Sequence, residues 1–461
     1  MSRRARVWML CWALVGCDGD PVGNDAGERV DASESLDAGA RDGAVLDAAM
    51  IDGAAPDGGT PPVGHCFDGP VDVSSAGGLT TARTARYEVE AQVDAAQAEL
   101  FARMLEAAWT AQVDFFGGEP TPALPLRVRV FRDQAAFEAG LAEDGLGPVG
   151  DAGGYYEPSN ATAYLFDQPT RYFTRMLVLH EATHQFHDAV RAAGTLPFWY
   201  VEGVAEAQSR HDWDGRCIRL GVVPLLTFED APAGALRTLE AGATLADVVD
   251  EALTPSRAIA WSIFRYLEDG PNRAAFRRFR ARVDDGAAIP DAFRDELGDP
   301  AALDAGWIPA VRAAQEPMTP VFLEWIHVDP STLDGFADVF TVAVVKAPVT
   351  RFETSFAAPS TPGWSGGVVL GYESPTRFVA LVVRDSGRLQ RFDVDGGAVW
   401  NDVGAAPAAV GGRYAFTVEH GASGAVVTVN GTELTVDTGL PARSGPALDA
   451  ASVRFEDLRW E

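Results

Sequence analysis

His180 and His184 stand four residues apart, with Glu181 directly after the first, in Leu179-His180-Glu181-Ala182-Thr183-His184-Gln185-Phe186-His187. On a helix this spacing puts both imidazoles on one face, one turn apart, where a single metal ion can take both. Glu181 is then at hand as a general base toward a water beside that metal. The residues leading in, Met176-Leu177-Val178-Leu179, are apolar, so the helix is expected to be buried. Buried His and Glu are costly unless paired or ligated. His187 shares the face of His180 but lies about 10 Å further along the helix axis. One ion cannot take it together with the other two, so it is read as structural.

A catalytic zinc commonly takes two His and one carboxylate and leaves a fourth position open. Glu202 follows His184 after seventeen intervening residues, in Pro197-Phe198-Trp199-Tyr200-Val201-Glu202-Gly203-Val204-Ala205-Glu206. Together the two segments resemble the gluzincins, the thermolysin and aminopeptidase-N superfamily, and most closely its smaller bacterial domains of the peptidase MA-like type. The second helix of that family carries a Trp-x-x-Glu-Gly-x-Ala motif, and Trp199, Glu202, Gly203 and Ala205 match it position by position. The spacing is one residue shorter than is usual in the aminopeptidases. The resemblance covers about residues 84–318. It implies one Zn2+ per chain on His180, His184 and Glu202, with Glu181 as base and a polypeptide as substrate. Glu206, one turn after Glu202, is expected to accept from a ligand histidine N–H; a surface carboxylate is the plainer alternative.

Hydrolysis also needs a donor for the oxyanion. The family often takes a Tyr or His from a later helix. Here that helix reads Arg257-Ala258-Ile259-Ala260-Trp261-Ser262-Ile263-Phe264-Arg265-Tyr266-Leu267, with Arg257 where a Tyr is common. Arginine can stabilise an oxyanion but does not give up a proton at neutral pH. Tyr266, Tyr200 and His211 are the other candidates. Gly154-Tyr155-Tyr156-Glu157 resembles the Gly-x-Met-Glu-Asn of the aminopeptidases without its Met and Asn. No residue for a free α-amine stands out, which favours an endopeptidase.

The elements that must hold these residues are legible in outline. Apolar periodicity predicts helices over 88–112, 133–142, 172–191, 198–210, 255–269 and 272–282. Alternation predicts a strand over 124–131, and a strand-like stretch runs from Gly153 to Phe166. Beyond about residue 319 short strands alternate with turns, with a two-residue hairpin signal at Asn430-Gly431. Such regular short strands suggest a β-sandwich. This region resembles the concanavalin-like (laminin-G-like) sandwiches of bacterial secreted enzymes. Trp364, Tyr372 and Trp400 are candidates for a sugar platform there, although such aromatics are more often core.

The N-terminus carries Arg3, Arg4 and Arg6, then a short apolar run from Val7 to Val15, ending in Leu14-Val15-Gly16-Cys17. The run is too short for an ordinary transmembrane helix. Its end resembles the lipobox of bacterial lipoproteins, which implies cleavage before Cys17 and lipid on its sulfur. The following Asp/Ala/Gly-rich stretch cannot bury enough apolar surface to order itself. Of the four cysteines, Cys66 and Cys217 survive processing into an oxidising compartment, so a disulfide between them is expected. A net charge of −29, with Lys346 the sole lysine, argues against a nucleic-acid partner.

The chain is therefore read as multidomain. A lipoprotein signal spans 1–17 and an acidic tether 18–65. An α+β zincin-like metallopeptidase domain spans 66–318, and an all-β, jelly-roll-like sandwich spans 319–461. The expected location is the bacterial cell envelope, with the membrane reached through lipid and a glycan as a candidate partner of the sandwich. The competing reading is a surface glycan- or protein-binding lipoprotein whose metallopeptidase domain is vestigial.

Overall fold

The computed structural model describes residues 64–461, apart from 122–123, 151, 169–170, 192–195, 214, 223, 226–230, 315–316, 322–324, 330, 337–339, 361, 423 and 450–451. Cys17, the lipobox and the tether up to residue 63 lie outside the described residues.

After the short strand β1 (His65–Cys66), the chain lays down β2 (Asp72–Ala76), β3 (Leu79–Arg83) and β4 (Tyr87–Ala91) as a meander. Helix α1 (Ala95–Phe116), β5 (Leu126–Phe131), α2 (Gln134–Glu143) and the hairpin β6 (Gly154–Glu157) and β7 (Thr162–Phe166) follow. These strands form one six-stranded sheet in the order β2-β3-β4-β5-β7-β6. Its centre is parallel, whereas β6 pairs antiparallel with β7 and forms an edge. Residues 87–91 correct the helix expected from residue 88. Tyr87, Val89 and Ala91 are buried while Glu88 and Glu90 are not, a period of two. Asp94 then starts the helix, its carboxylate accepting from the Gln97 N–H at 2.9 Å.

Helix α3 (Arg171–Val190) packs beside α1 on one face of this sheet. Val178 and Phe186 meet Phe101, Leu105, Val128 and Leu165 there. Helix α2 covers the other face through Phe137 and Leu141. Next come α4 (Phe198–Ser209), β8 (His211–Trp213) and β9 (Cys217–Leu220). β9 pairs with β1, and Cys66 and Cys217 face each other across that ladder as a disulfide.

After β10 (Pro224–Leu225), a helical layer is built from α5 (Ala231–Glu240), α6 (Leu245–Val249), α7 (Arg257–Asp269), α8 (Arg273–Asp284), α9 (Ile289–Leu297) and α10 (Pro300–Ala313). Its core is aromatic: Trp199 and Tyr200 of α4 pack against Phe264, Phe276 and Phe279. Gly203 sets how closely α4 and α7 approach. A Cβ at that position would stand 2.4 Å from the Phe264 ring and 3.0 Å from the Ala260 carbonyl oxygen. With the helices this close, Arg257 at the start of α7 reaches Glu202 and Glu206 of α4.

From β11 (Met318–Val321) and β12 (Trp325–Asp329) to the strand Ser452–Trp460 the described chain is all β. A seven-stranded and an eight-stranded sheet enclose a core that includes Phe352, Phe356, Leu381, Phe416 and Phe455. The eighth strand is β10, which pairs with β12 through Pro224↔Ile326 and Leu225↔Trp325. The sheet thus reaches back into the segment after Glu202, a connection the sequence does not display. Asn430 and Gly431 form the expected two-residue turn between Val429 and Thr432, with φ of 44° and 83°. Of the three aromatics, two take the plainer place in the core. Trp364 and Tyr372 are only 6% and 5% exposed and belong to the core, while Trp400 stacks on Phe392. Among the described residues, no helix is long and apolar enough to cross a membrane.

Candidate metal centre

The helical spacing read from the sequence is realised on α3, which carries His180, Glu181, His184 and His187. The His180 and His184 Nε2 atoms lie 3.1 Å apart. Helix α4 presents Glu202 to them. Its Oε2 is 3.2 Å from His180 Nε2 and its Oε1 3.6 Å from His184 Nε2. The three ligand atoms lie within 4.8 Å of one another.

These donors fit a cation better than they fit each other. Two imidazole nitrogens in contact can share at most one proton. Glu202 Oε2 is buried and lacks a properly directed hydrogen bond, despite its nearness to His180. A metal ion would satisfy all three, and a set of two His and one carboxylate is one that catalytic zinc takes.

Burial pushes the His184 imidazole down to about 3, helped by the neighbouring His180. Burial works against the charge on Glu202 as well, but His180, His184 and Arg257 outweigh it and hold that carboxyl low. Both shifts leave lone pairs available to a metal at neutral pH. Burial also pushes the Glu181 carboxyl up to about 7, the range suited to a base at neutral pH.

Glu206 lies behind the cluster, its Oε1 3.7 Å from His180 Nδ1. Its other oxygen pairs with Arg210, a guanidinium only 2% exposed and held over the Trp261 ring. Arg257, at the start of α7, reaches both carboxylates, 3.4 Å from Glu202 and 3.5 Å from Glu206. A cavity of about 480 Å³ opens over the cluster, lined by Gly154, Tyr156, Glu181, His184, Asp188 and Arg257 among others.

The remaining sequence candidates lie elsewhere. Tyr266 is nine residues after Arg257 and so on the opposite side of α7, where its hydroxyl donates to the Leu303 carbonyl at 3.1 Å. The His211 ring stacks on Tyr172, with Nδ1 2.9 Å from the Ser209 carbonyl. Tyr200 donates to Asp284. None of the three lines the cavity, so of the oxyanion-donor candidates only Arg257 is in place. His187 lines the cavity wall with Nε2 2.9 Å from Asp284 Oδ1, a structural pairing. Sequence reasoning missed Arg210, although its i,i+4 spacing from Glu206 is a legible signal. It also missed the Tyr156–Asp188–Arg191 group, with bonds of 3.1 and 3.0 Å, which no sequence pattern announces.

No family model and no curated protein matches the chain. Among solved structures it is similar to the carbohydrate-binding module CBM66 from Bacillus subtilis, at 14% identity and a TM-score of 0.28, over 32% of this chain and 95% of that one. It is also similar to a functionally unknown protein from Saccharomyces cerevisiae, at 9% identity and a TM-score of 0.25, over 32% and 96% of the two chains. A third is galectin-Ib from Xenopus laevis, at 14% identity and a TM-score of 0.19, over 26% and 96%. At these TM-scores the likenesses carry no argument.

Proposed function

We propose that the chain is a zinc-dependent peptidase, an endopeptidase, of the bacterial cell envelope. The observation that carries this reading is the convergence of His180, His184 and Glu202 within 4.8 Å, beside Glu181, on the floor of an open cavity. A zinc ion held by those three residues would supply Lewis acidity to a water and to a substrate carbonyl. Glu181 takes the proton from the attacking water and delivers it to the leaving amine. Arg257 offers N–H donors to the developing oxyanion and, being charged, gives up no proton. Glu206, anchored by Arg210, holds the His180 ring through its Nδ1 side. The edge strand β6 borders the cavity and leaves one side open to an extended peptide. Asp188 is already engaged by Tyr156 and Arg191, so it does not offer itself to a free α-amine. The lipobox-like Leu14–Cys17 supports attachment to the membrane by lipid.

The test is casein cleavage by the zinc-loaded protein, with and without chelator. Cleavage abolished by chelator and restored by zinc is the expected result; a fully zinc-loaded protein that cleaves no peptide would refute the reading. The second reading is a glycan- or protein-binding surface lipoprotein with a vestigial metal cluster. The features favouring it are Arg257 in place of a proton-donating Tyr and the two-sheet C-terminal part. A glycan array on the inactive protein separates the two readings.

A further inference from the structure

Gly154 opens β6 opposite Leu165 of β7 and lies against α3. Its backbone is not in the left-handed region, so nothing in its conformation calls for glycine. Glycine within a strand weakens the strand unless another group must come close. The group that comes close is Glu181. A Cβ built on Gly154 would stand 2.6 Å from Glu181 Oε1, 2.9 Å from its Cγ and 3.0 Å from its Cδ.

We infer that Gly154 is a positioning residue for Glu181: the absent side chain is the space in which the carboxylate is held against the edge strand. The strand cannot easily step aside. Two residues on, and on the same face, Tyr156 donates to Asp188 of α3 at 3.1 Å. The other side of the strand is tied into the β7 ladder. A methyl group at 154 must therefore displace the Glu181 side chain, which is only 4% exposed. The inference rests on the reading of Glu181 as the base, but its structural half is readable without activity.

The experiment uses the full chain loaded with zinc. Gly154→Ala is compared with Gly153→Ala, whose new methyl would press on Leu177 Cδ1 at 2.9 Å instead. Each is made in the wild type and in Glu181→Ala. Gly154→Ala is expected to keep one zinc per chain, hold KM, and lose about 100-fold in kcat, a loss of the size that a misplacement of about 1 Å can cause. Its crystal structure should show the Glu181 carboxyl displaced. Its thermal destabilisation should vanish in Glu181→Ala, where the obstructing atoms are gone. Gly153→Ala should cost the same stability in both backgrounds and leave kcat near wild type. Three results would each overturn the inference: an unmoved Glu181, a kcat within about threefold of wild type, or an equal stability loss in both backgrounds. Should Gly154→Ala fail to fold alone, the double variant with Glu181→Ala must fold, and its failure overturns the inference too. If the wild type cleaves no peptide, the peptidase reading falls, and the stability cycle with the crystal structure still decides the Gly154–Glu181 contact.

Discussion

Glu202 and Glu206 sit one turn apart on α4, and replacing each with alanine should produce opposite defects. Glu202 contributes one of three converging ligand atoms. Without it two imidazoles remain, which do not hold zinc tightly. Its side chain is 15% exposed and makes no properly directed hydrogen bond to His180, so in metal-free protein its loss should cost only about 1 kcal/mol, the scale of a single polar contact. Glu206 is only 4% exposed and its partner Arg210 2%. Removing it takes the carboxylate from a buried guanidinium, which costs about 3–5 kcal/mol. Its contact with the ligand ring is outside the metal's own shell, so zinc affinity should fall only about 10–100-fold. The assays are metal content after loading with stoichiometric zinc, and urea unfolding in chelator. Glu202→Ala should come out metal-free with near wild-type apo stability. Glu206→Ala should retain zinc and unfold at much lower urea. If Glu206→Ala is empty while Glu202→Ala holds zinc, the ligand assignment is wrong.

Glu181→Gln should keep one zinc per chain and lose about 10²–10⁴-fold in kcat, and full activity would exclude it as the base. Arg257→Leu should likewise keep its zinc and lose about 10²–10³-fold in kcat, read in a steady-state peptide assay. Replacing Cys66 and Cys217 by serine removes a bridge across 151 residues and should cost about 3–5 kcal/mol by urea unfolding, with metal content unchanged. His211 is held neutral by burial and by the Arg175 charge, its pKa pushed from 6.5 down to about 3. Below pH 6.5 the unfolded chain takes up a proton that the folded chain refuses. The stability His211 contributes is thus complete above that pH and is lost as pH falls toward 3. His211→Gln should flatten the pH dependence of metal-free stability between pH 6.5 and 4 by up to about 1.4 kcal/mol per pH unit.

What the sequence determined by itself was local. The four-residue spacing of His180 and His184 dictates a shared helical face wherever the helix lies, and the Asn430-Gly431 pair dictates its own turn. Pairing of Cys66 with Cys217 followed from counting cysteines. Helix periodicity failed at residues 87–91, because Tyr87, Val89 and Ala91 alternate with Glu88 and Glu90 over only five residues, too short a run to stand apart from the helical pattern that follows it. The arrangement of the metal cluster's surroundings was decided by packing between elements distant in the chain. Arg257 was one of several candidate donors until the close approach of α4 and α7 at Gly203 brought it over Glu202 and turned Tyr266 away. Glu206 acquired a buried partner in Arg210, and Gly154 acquired its meaning only when β6 came down on Glu181. Chain periodicity records which face of an element is buried, and it does not record which other element buries it.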